Sequence, residues 1–203
     1  MTFNLFGIKI EINFLFFCLL TAFVIIESSK VFVWGLSSAL IHELGHIIIM
    51  ILVGHKPSKI AFNLFDIDIK DDKRNRRNYR EDIFILLGGP IANFIMGVIL
   101  WLLYVRCKNQ NVMILLTENL FLGIFNVLPI ESLDGGQILY ICLSSKLPQG
   151  KAIMALELIS FAILLPLAIL GFYILLISRY NYSLLFISCY LMGIILIKKG
   201  HYF

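Results

Sequence analysis

The sequence is poor in charged residues. Asp, Glu, Lys and Arg make up 15% of its 203 residues, whereas hydrophobic residues make up 60%. Soluble domains carry about 25% charged and about 45–50% apolar residues. A water-soluble fold of this size cannot bury so much apolar surface, and an intrinsically disordered chain contains far less of it. The scarcity of charge therefore excludes both classes and indicates a polytopic membrane protein.

Cysteine is scarce as well, with four in the chain. None of the four forms a C-x-x-C pair, and three lie in apolar runs, so the sequence favours neither a disulfide framework nor a cysteine metal site. We interpret them as small apolar packing residues. They are Cys18, Cys107, Cys142 and Cys189.

Long apolar runs predict an all-α membrane fold, a bundle of about six transmembrane helices in a single domain over residues 1–203. The predicted spans are 12–26, 31–53, 83–105, 112–130, 152–178 and 182–197. The first run follows Lys9 and Glu11 and has no small-residue cleavage site, so we interpret it as a retained span and not as a signal peptide. Two alternating stretches, 8–12 and 60–69, predict short strands at the membrane surface, with irregular loops as the alternative.

Six spans place both termini on the same side of the membrane. Thirteen of the 17 basic residues fall on that side, and the other four are Lys30, Arg106, Lys108 and Arg179. The positive-inside rule therefore predicts a multi-pass protein of the cell membrane with both termini in the cytoplasm. The same asymmetry explains the net charge of +4 by topology and by contact with an anionic lipid bilayer, so no nucleic-acid partner is expected.

The second predicted span contains the motif His42-Glu43-x-x-His46. On a helix the two histidines are four residues apart, so both imidazoles lie on one face and can bind one Zn²⁺. Glu43 then lies beside the metal, where a carboxylate can take a proton from water. The alternative is a buried polar cluster that holds helices together, but such a cluster needs hydrogen-bond partners of its own within the membrane.

A catalytic zinc usually has a third protein ligand and keeps one position for water. Asp134 is the main candidate, because Pro129 ends a helix before it and two glycines after it permit a sharp turn. Irregular backbone at membrane depth is tolerated where it lines protein or a wet cavity. Glu131 and Glu157 are rival ligands.

Three motifs in this order resemble the site-2 protease family of intramembrane zinc metalloproteases. They are His42-Glu43-x-x-His46, then Gly88-Gly89-Pro90-x-x-Asn93, then Asn126-x-x-Pro129 followed by Leu133-Asp134-Gly135. The resemblance covers nearly the whole chain, from Phe6 to about Ile197. It is greatest to the sporulation branch, whose members process a pro-sigma factor.

The resemblance implies a single transmembrane protease domain that acts as a metalloendopeptidase on a membrane-tethered protein, with one Zn²⁺ per chain. Cleavage would take place within or near the membrane segment of the substrate, which in the sporulation branch is a pro-sigma factor. The implied roles are zinc ligation for His42, His46 and Asp134, catalysis for Glu43, and substrate or oxyanion binding for Asn126.

Asn93, in the glycine–proline motif, is interpreted as a helix-packing or loop-shaping residue, because interhelical amide hydrogen bonds are common in membrane spans. The sequence departs from the family at Ser132, where many members have proline. Neither the nucleotide-sensing CBS domain of the sporulation branch nor a PDZ insert is expected. Regulation by a second membrane protein and assembly as a homo-oligomer are both open.

Two other functions also remain open from the sequence. A non-proteolytic zinc-binding membrane protein, such as a transporter or a scaffold, would have no need of Glu43 between its ligands. A membrane metalloprotease of the prenyl-protein type would take a downstream glutamate as its third ligand in place of Asp134.

Overall fold

The computed structural model describes most of the chain. The described residues are 2–5, 8–13, 21, 30–62, 67–70, 77–178 and 183–199. They form two compact units, Met1–Ile124 and Phe125–Phe203. The predicted first span at 12–26 lies outside the described residues except at positions 12, 13 and 21.

A four-stranded sheet belongs to the first unit. Its strands are β1 Thr2–Leu5, β2 Ile8–Ile12, β3 Lys59–Phe62 and β4 Ile67–Lys70. The strands lie in sequence order, with β2 and β3 parallel and the two outer pairs antiparallel. Strands were predicted at 8–12 and within 60–69, and both are present. β1 was not predicted, since four residues carry too little alternation to be recognised.

Glu11 on β2 makes ion pairs with two lysines. Its carboxylate lies 2.5 Å from the Lys59 ammonium and 2.9 Å from that of Lys9. Lys9 and Lys59 are register partners on the parallel pair β2–β3, so the two ammonium groups would otherwise repel each other. The hydrogen bond from Lys59, followed by that from Lys9, lowers the pKa of Glu11 to about 2. Glu11 therefore keeps its charge and links the two strands at all but strongly acidic pH.

Close contact between two long helices organises the rest of the first unit. A Cβ at Gly45 would collide with the carbonyl oxygen of Gly88, and a Cβ at Gly88 would lie 2.6 Å from the carbonyl oxygen of Gly45. Small residues let helix backbones approach closely in a membrane, where packing and hydrogen bonds drive association. These two helices are α1 Lys30–Leu52 and α2 Tyr79–Cys107.

A third helix, α3, spans Gln110–Val127 and contacts α2 through side chains that lie against glycines. Gly97 of α2 faces Leu120, and Gly123 of α3 faces Phe94. The helix ends two residues before Pro129, where the sequence predicted a break but placed the end of the span at 130. Proline disfavours helical backbone in the residue that precedes it, which accounts for the earlier end.

The second unit contains three further helices around a small apolar core. Ile130 and Leu164 are fully buried in that core, together with Leu191 and Ile195. Its helices are α4 Asp134–Ser144, α5 Gln149–Ser178 and α6 Ser183–Lys199. Helix α4 was not predicted, because its glycine pair was interpreted as a turn.

Three helices of the described residues are long and apolar enough to cross a membrane. They are Phe32–Leu52, Tyr79–Cys107 and Gln149–Ser178, and the apolar helix Ser183–Leu196 is shorter. These three helices and the shorter one correspond to the second, third, fifth and sixth predicted spans. A helical membrane protein is thus supported, while six crossings and cytoplasmic termini stay predictions.

Candidate metal centre

The two histidines of α1 lie side by side. His42 and His46 are 5% and 8% exposed, and their Nε2 atoms are 3.1 Å apart. The rings meet edge to face, with centroids 4.7 Å apart. Two nitrogens bound to one tetrahedral zinc at about 2.0–2.1 Å each are roughly 3.3 Å apart. The predicted common face is therefore present, and the spacing of the two nitrogens fits a shared zinc ion.

His46 has its far ring nitrogen against the backbone of α2. Its Nδ1 lies 2.8 Å from the carbonyl oxygen of Ile85, while the backbone N–H of Gly89 lies 3.3 Å from the same Nδ1. The contact with the carbonyl requires a proton on Nδ1, and a nitrogen that donates cannot also accept from Gly89. Nδ1 is therefore the donor, which leaves the Nε2 lone pair of His46 available to a metal.

The backbone of α2 can come this close because position 89 is glycine. A Cβ there would lie 2.5 Å from Nε2 of His46 and 2.6 Å from Nε2 of His42. Real carbon atoms do not approach nitrogen that closely, so any side chain at Gly89 would displace the imidazoles. The glycine in the motif is thus explained by space, and not by an unusual backbone angle.

His42 has its far nitrogen against Asn93, which was predicted to be a helix-packing or loop-shaping residue. Nδ1 of His42 lies 3.2 Å from Nδ2 of Asn93. Asn93 is fully buried, with 0% of its surface exposed. Asn93 follows Gly89 by one helical turn of α2, so both lie on the face that meets the histidines. The spacing within the motif predicts that Gly89 and Asn93 share a face, but not that this face meets the histidines.

Glu43 follows His42 directly on α1 and is half-buried. Adjacent helical residues are separated by about 100° around the axis, so Glu43 projects beside the histidine face and not within it. A carboxylate at that position is available for proton transfer next to a metal held by its neighbours.

Asp134 is the first residue of α4 and is 9% exposed. Leu133 before it is extended, with φ −107° and ψ 164°, so the chain leaves irregular backbone and enters the helix at the aspartate. A Cβ at Gly135 would collide with the carbonyl of Val127, and one at Gly136 with that of Ile130. The glycine pair was expected to form a sharp turn, but instead it allows the start of α4 to pack against the preceding backbone.

The rival acidic residues of the second unit are more exposed. Glu131 and Glu157 are both half-buried, and the backbone N–H of Glu131 donates to the Ser160 hydroxyl at 2.9 Å. Asn126 is half-buried in the last turn of α3. Asp134 is thus the buried acid of this region, as a ligand carboxylate should be.

Ser132, which stands where many family members have proline, has a buried hydroxyl with no hydrogen-bond partner. The hydroxyl adds no hydrogen bond that a proline would lack, so nothing here shows that Asp134 depends on it. The three candidate ligands themselves, His42, His46 and Asp134, are buried, and each offers one atom of a kind that zinc accepts.

Comparisons with known proteins agree on one family. The model of peptidase family M50 matches residues 108–167, which include Asn126 and Asp134 but not the histidines. Stage IV sporulation protein FB of Bacillus subtilis is 30% identical over 115 residues, which are 56% of this chain and 40% of that protein. Zinc metalloprotease MJ0392 of Methanocaldococcus jannaschii is 29% identical over 157 residues, 71% of this chain and 45% of that protein.

A solved structure is similar over almost its whole length. The site-2 protease from Methanocaldococcus jannaschii superposes with a TM-score of 0.66 at 26% identity, covering 95% of this chain and 92% of that one. The matched regions are less than half the length of the two curated relatives.

Proposed function

Since this chain belongs to peptidase family M50, the site-2 proteases, we propose that it is a membrane-embedded zinc metalloendopeptidase. Its substrate is a membrane-tethered protein, cut within or near the membrane segment. The observation that supports this best is the pair of buried imidazoles on α1, with Nε2 atoms 3.1 Å apart. Burial of such a pair in a lipid environment costs free energy, and ionisable residues in membrane spans therefore usually have a function.

The zinc site of this proposal has three protein ligands, His42, His46 and Asp134. The donor set of two imidazoles and one carboxylate is a common catalytic zinc set, which leaves a position open for water. The fit is supported by the ring nitrogens, because Nδ1 of His46 already donates to a backbone carbonyl. Such outer hydrogen bonds orient ligand histidines in zinc sites.

Zinc, when bound, supplies a Lewis acid that lowers the pKa of a water to about 7. Glu43 accepts a proton from the attacking water and later donates it to the amine that leaves. The amide of Asn126 binds the substrate or the developing oxyanion. The chain also excludes bulk water, because both histidines are more than nine-tenths buried.

Replacement of the catalytic carboxylate tests the activity. Purified Glu43→Gln protein in liposomes should cleave a membrane-tethered reporter at least about 100-fold more slowly than wild type, since general acid–base catalysis contributes at least that factor. Its zinc content should stay unchanged. Glu157→Gln is the matched control, with the same change at another half-buried acid. Equal cleavage by Glu43→Gln and wild type would refute the mechanism.

Metal analysis tests the third ligand and separates the proposal from its rivals. Asp134→Ala should lose zinc, whereas Glu157→Ala should retain it. Unchanged zinc in Asp134→Ala, with loss in Glu157→Ala, would instead indicate a protease of the prenyl-protein type. A wild-type protein that binds zinc but cleaves no tethered reporter would support a non-proteolytic zinc protein.

The substrate class can be narrowed further. One relative is named a stage IV sporulation protein, so we propose a membrane-associated sporulation factor as the first class of substrate to examine. Membranes from cells with wild-type or Glu43→Gln protein should then differ in one accumulated precursor, found by quantitative proteomics. A precursor without any link to sporulation would contradict this narrower proposal.

A further inference from the structure

The nitrogen and the oxygen of the Asn93 side-chain amide have different surroundings. Its Nδ2 lies 3.2 Å from Nδ1 of His42, whereas its Oδ1 is buried and has no hydrogen-bond partner. The residue is 0% exposed on α2. A buried acceptor without a donor costs about 1–3 kcal/mol and is rare in folded proteins. Asn119 also has a buried Oδ1 without a partner, so the feature that sets Asn93 apart is its contact with His42.

Three contacts run from Asn93 through the histidine pair to the backbone of α2. With Nδ2 of Asn93 as the donor to Nδ1 of His42, the histidine carries its own proton on Nε2. That Nε2–H donates to Nε2 of His46 over 3.1 Å. His46 in turn donates from Nδ1 to the carbonyl of Ile85. In this tautomer every ring nitrogen of the pair has a hydrogen-bond partner.

This arrangement is the wrong one for zinc at His42. A nitrogen that carries a proton has no lone pair for a metal, so Nε2 of His42 must give up its hydrogen when zinc binds. If the proton moves to Nδ1, that nitrogen becomes a donor, and the Nδ2 of Asn93 in front of it is a donor too. A half-turn of the amide brings Oδ1 to Nδ1 instead, and the conflict is removed.

We propose that Asn93 is a positioning residue for zinc, whose amide turns to place Oδ1 on the Nδ1–H of His42 and so fixes the tautomer with a free Nε2. The histidine stays neutral throughout, because one proton moves between its two nitrogens. The inference rests on the proposed zinc site and adds that α2 holds both ligand histidines by their far nitrogens, one through a backbone carbonyl and the other through this amide. Partners of this kind typically change metal affinity 10–100-fold.

Two replacements of Asn93 separate positioning from packing. Leucine has nearly the same shape but no acceptor, so Asn93→Leu should weaken zinc binding by about 10–100-fold, measured by competition with a chromogenic chelator. Aspartate can only accept, so Asn93→Asp should bind zinc at least as tightly as wild type. The matched control is Asn119→Leu, since Asn119 is also 0% exposed but contacts Ser38 and not a histidine.

The tautomer of His42, measured in protein from which the metal has been removed, would not change if Asn93 had only a packing role. In ¹⁵N spectra of histidine-labelled protein, His42 of the wild type should carry its proton on Nε2, and Asn93→Asp should move it to Nδ1. This measurement also decides the matter if the leucine variant does not fold.

Wild-type zinc affinity in a folded Asn93→Leu variant would overturn the inference and leave the proposed protease intact. So would an unchanged His42 tautomer in Asn93→Asp. A wild-type protein that binds no zinc would instead overturn the proposed function, and this inference with it.

Discussion

Gly89→Ala is the smallest change that should disturb the proposed zinc site without removing one of its proposed ligands. The new methyl carbon would lie 2.5 Å from Nε2 of His46 and 2.6 Å from both Cε1 and Nε2 of His42. These are the two nitrogens assigned to the metal. The methyl therefore occupies the space on which both ligands converge, and the rings must rotate away to accommodate it.

The magnitude follows from where the strain can be relieved. Overpacking by one methyl group typically costs about 1–3 kcal/mol. Without metal, both imidazoles can turn to other rotamers and most of that strain is released. With zinc bound, the rings are held in place and the strain stays. Zinc affinity should therefore fall by the same free energy, which corresponds to roughly 5- to 150-fold.

The assay is zinc competition with a chelator on detergent-purified protein, with thermal unfolding as the check on folding. Gly193→Ala on α6 is the matched control, because a Cβ at Gly193 has no neighbour within 4 Å; its zinc affinity should equal that of wild type. If Gly89→Ala binds zinc as tightly as wild type, the arrangement of α2 over the histidines is wrong.

Two further predictions concern parts of the fold outside the histidine pair. Ser160→Ala removes the hydroxyl that accepts from the Glu131 N–H at 2.9 Å. Loss of this hydrogen bond should lower the free energy of unfolding by about 0.5–1.5 kcal/mol, measured by thermal or denaturant unfolding. Lys59→Met removes the strongest partner of Glu11, so the pKa of Glu11 should rise from about 2 towards its ordinary value, measured by NMR titration. Because that pKa is depressed in the fold, the stabilising contribution of Glu11 is fully present above about pH 4 and is lost as the pH falls towards 2; in Lys59→Met most of this dependence should disappear.

The histidine pair was predictable because a four-residue spacing on a helix has one geometric consequence. His42 and His46 had to share a face, and their nitrogens do lie 3.1 Å apart. A break near Pro129 was predictable for a similar reason, since proline disfavours helical backbone in the residue before it, although the predicted span continued to 130. Both features depend on local chain geometry alone.

Helix α4 and the role of Asn93 could not be predicted in that way. Gly135 and Gly136 are equally suited to a turn and to close packing, and only the backbone of Val127 and Ile130 against them decides for packing. An asparagine in an apolar helix is typical of interhelical packing, and the contact of Asn93 with His42 arises only because α1 and α2 approach each other. Both outcomes are determined by packing contacts that local residue preferences do not specify.

The groups of α2 that meet the histidines recur every four residues: the carbonyl of Ile85, the open space at Gly89 and the amide of Asn93. Only Asn93 contributes a polar side chain, so the regular spacing of the three groups could not be recognised in the sequence. It follows that Ile85 can change without harm to the metal site. Ile85→Val should cost about 0.5–1.5 kcal/mol of stability, since the residue is buried, but zinc affinity should remain as in wild type because the carbonyl is unchanged. A fall in affinity with Ile85→Val as large as that expected of Asn93→Leu would show that the side chain, and not the backbone, holds His46.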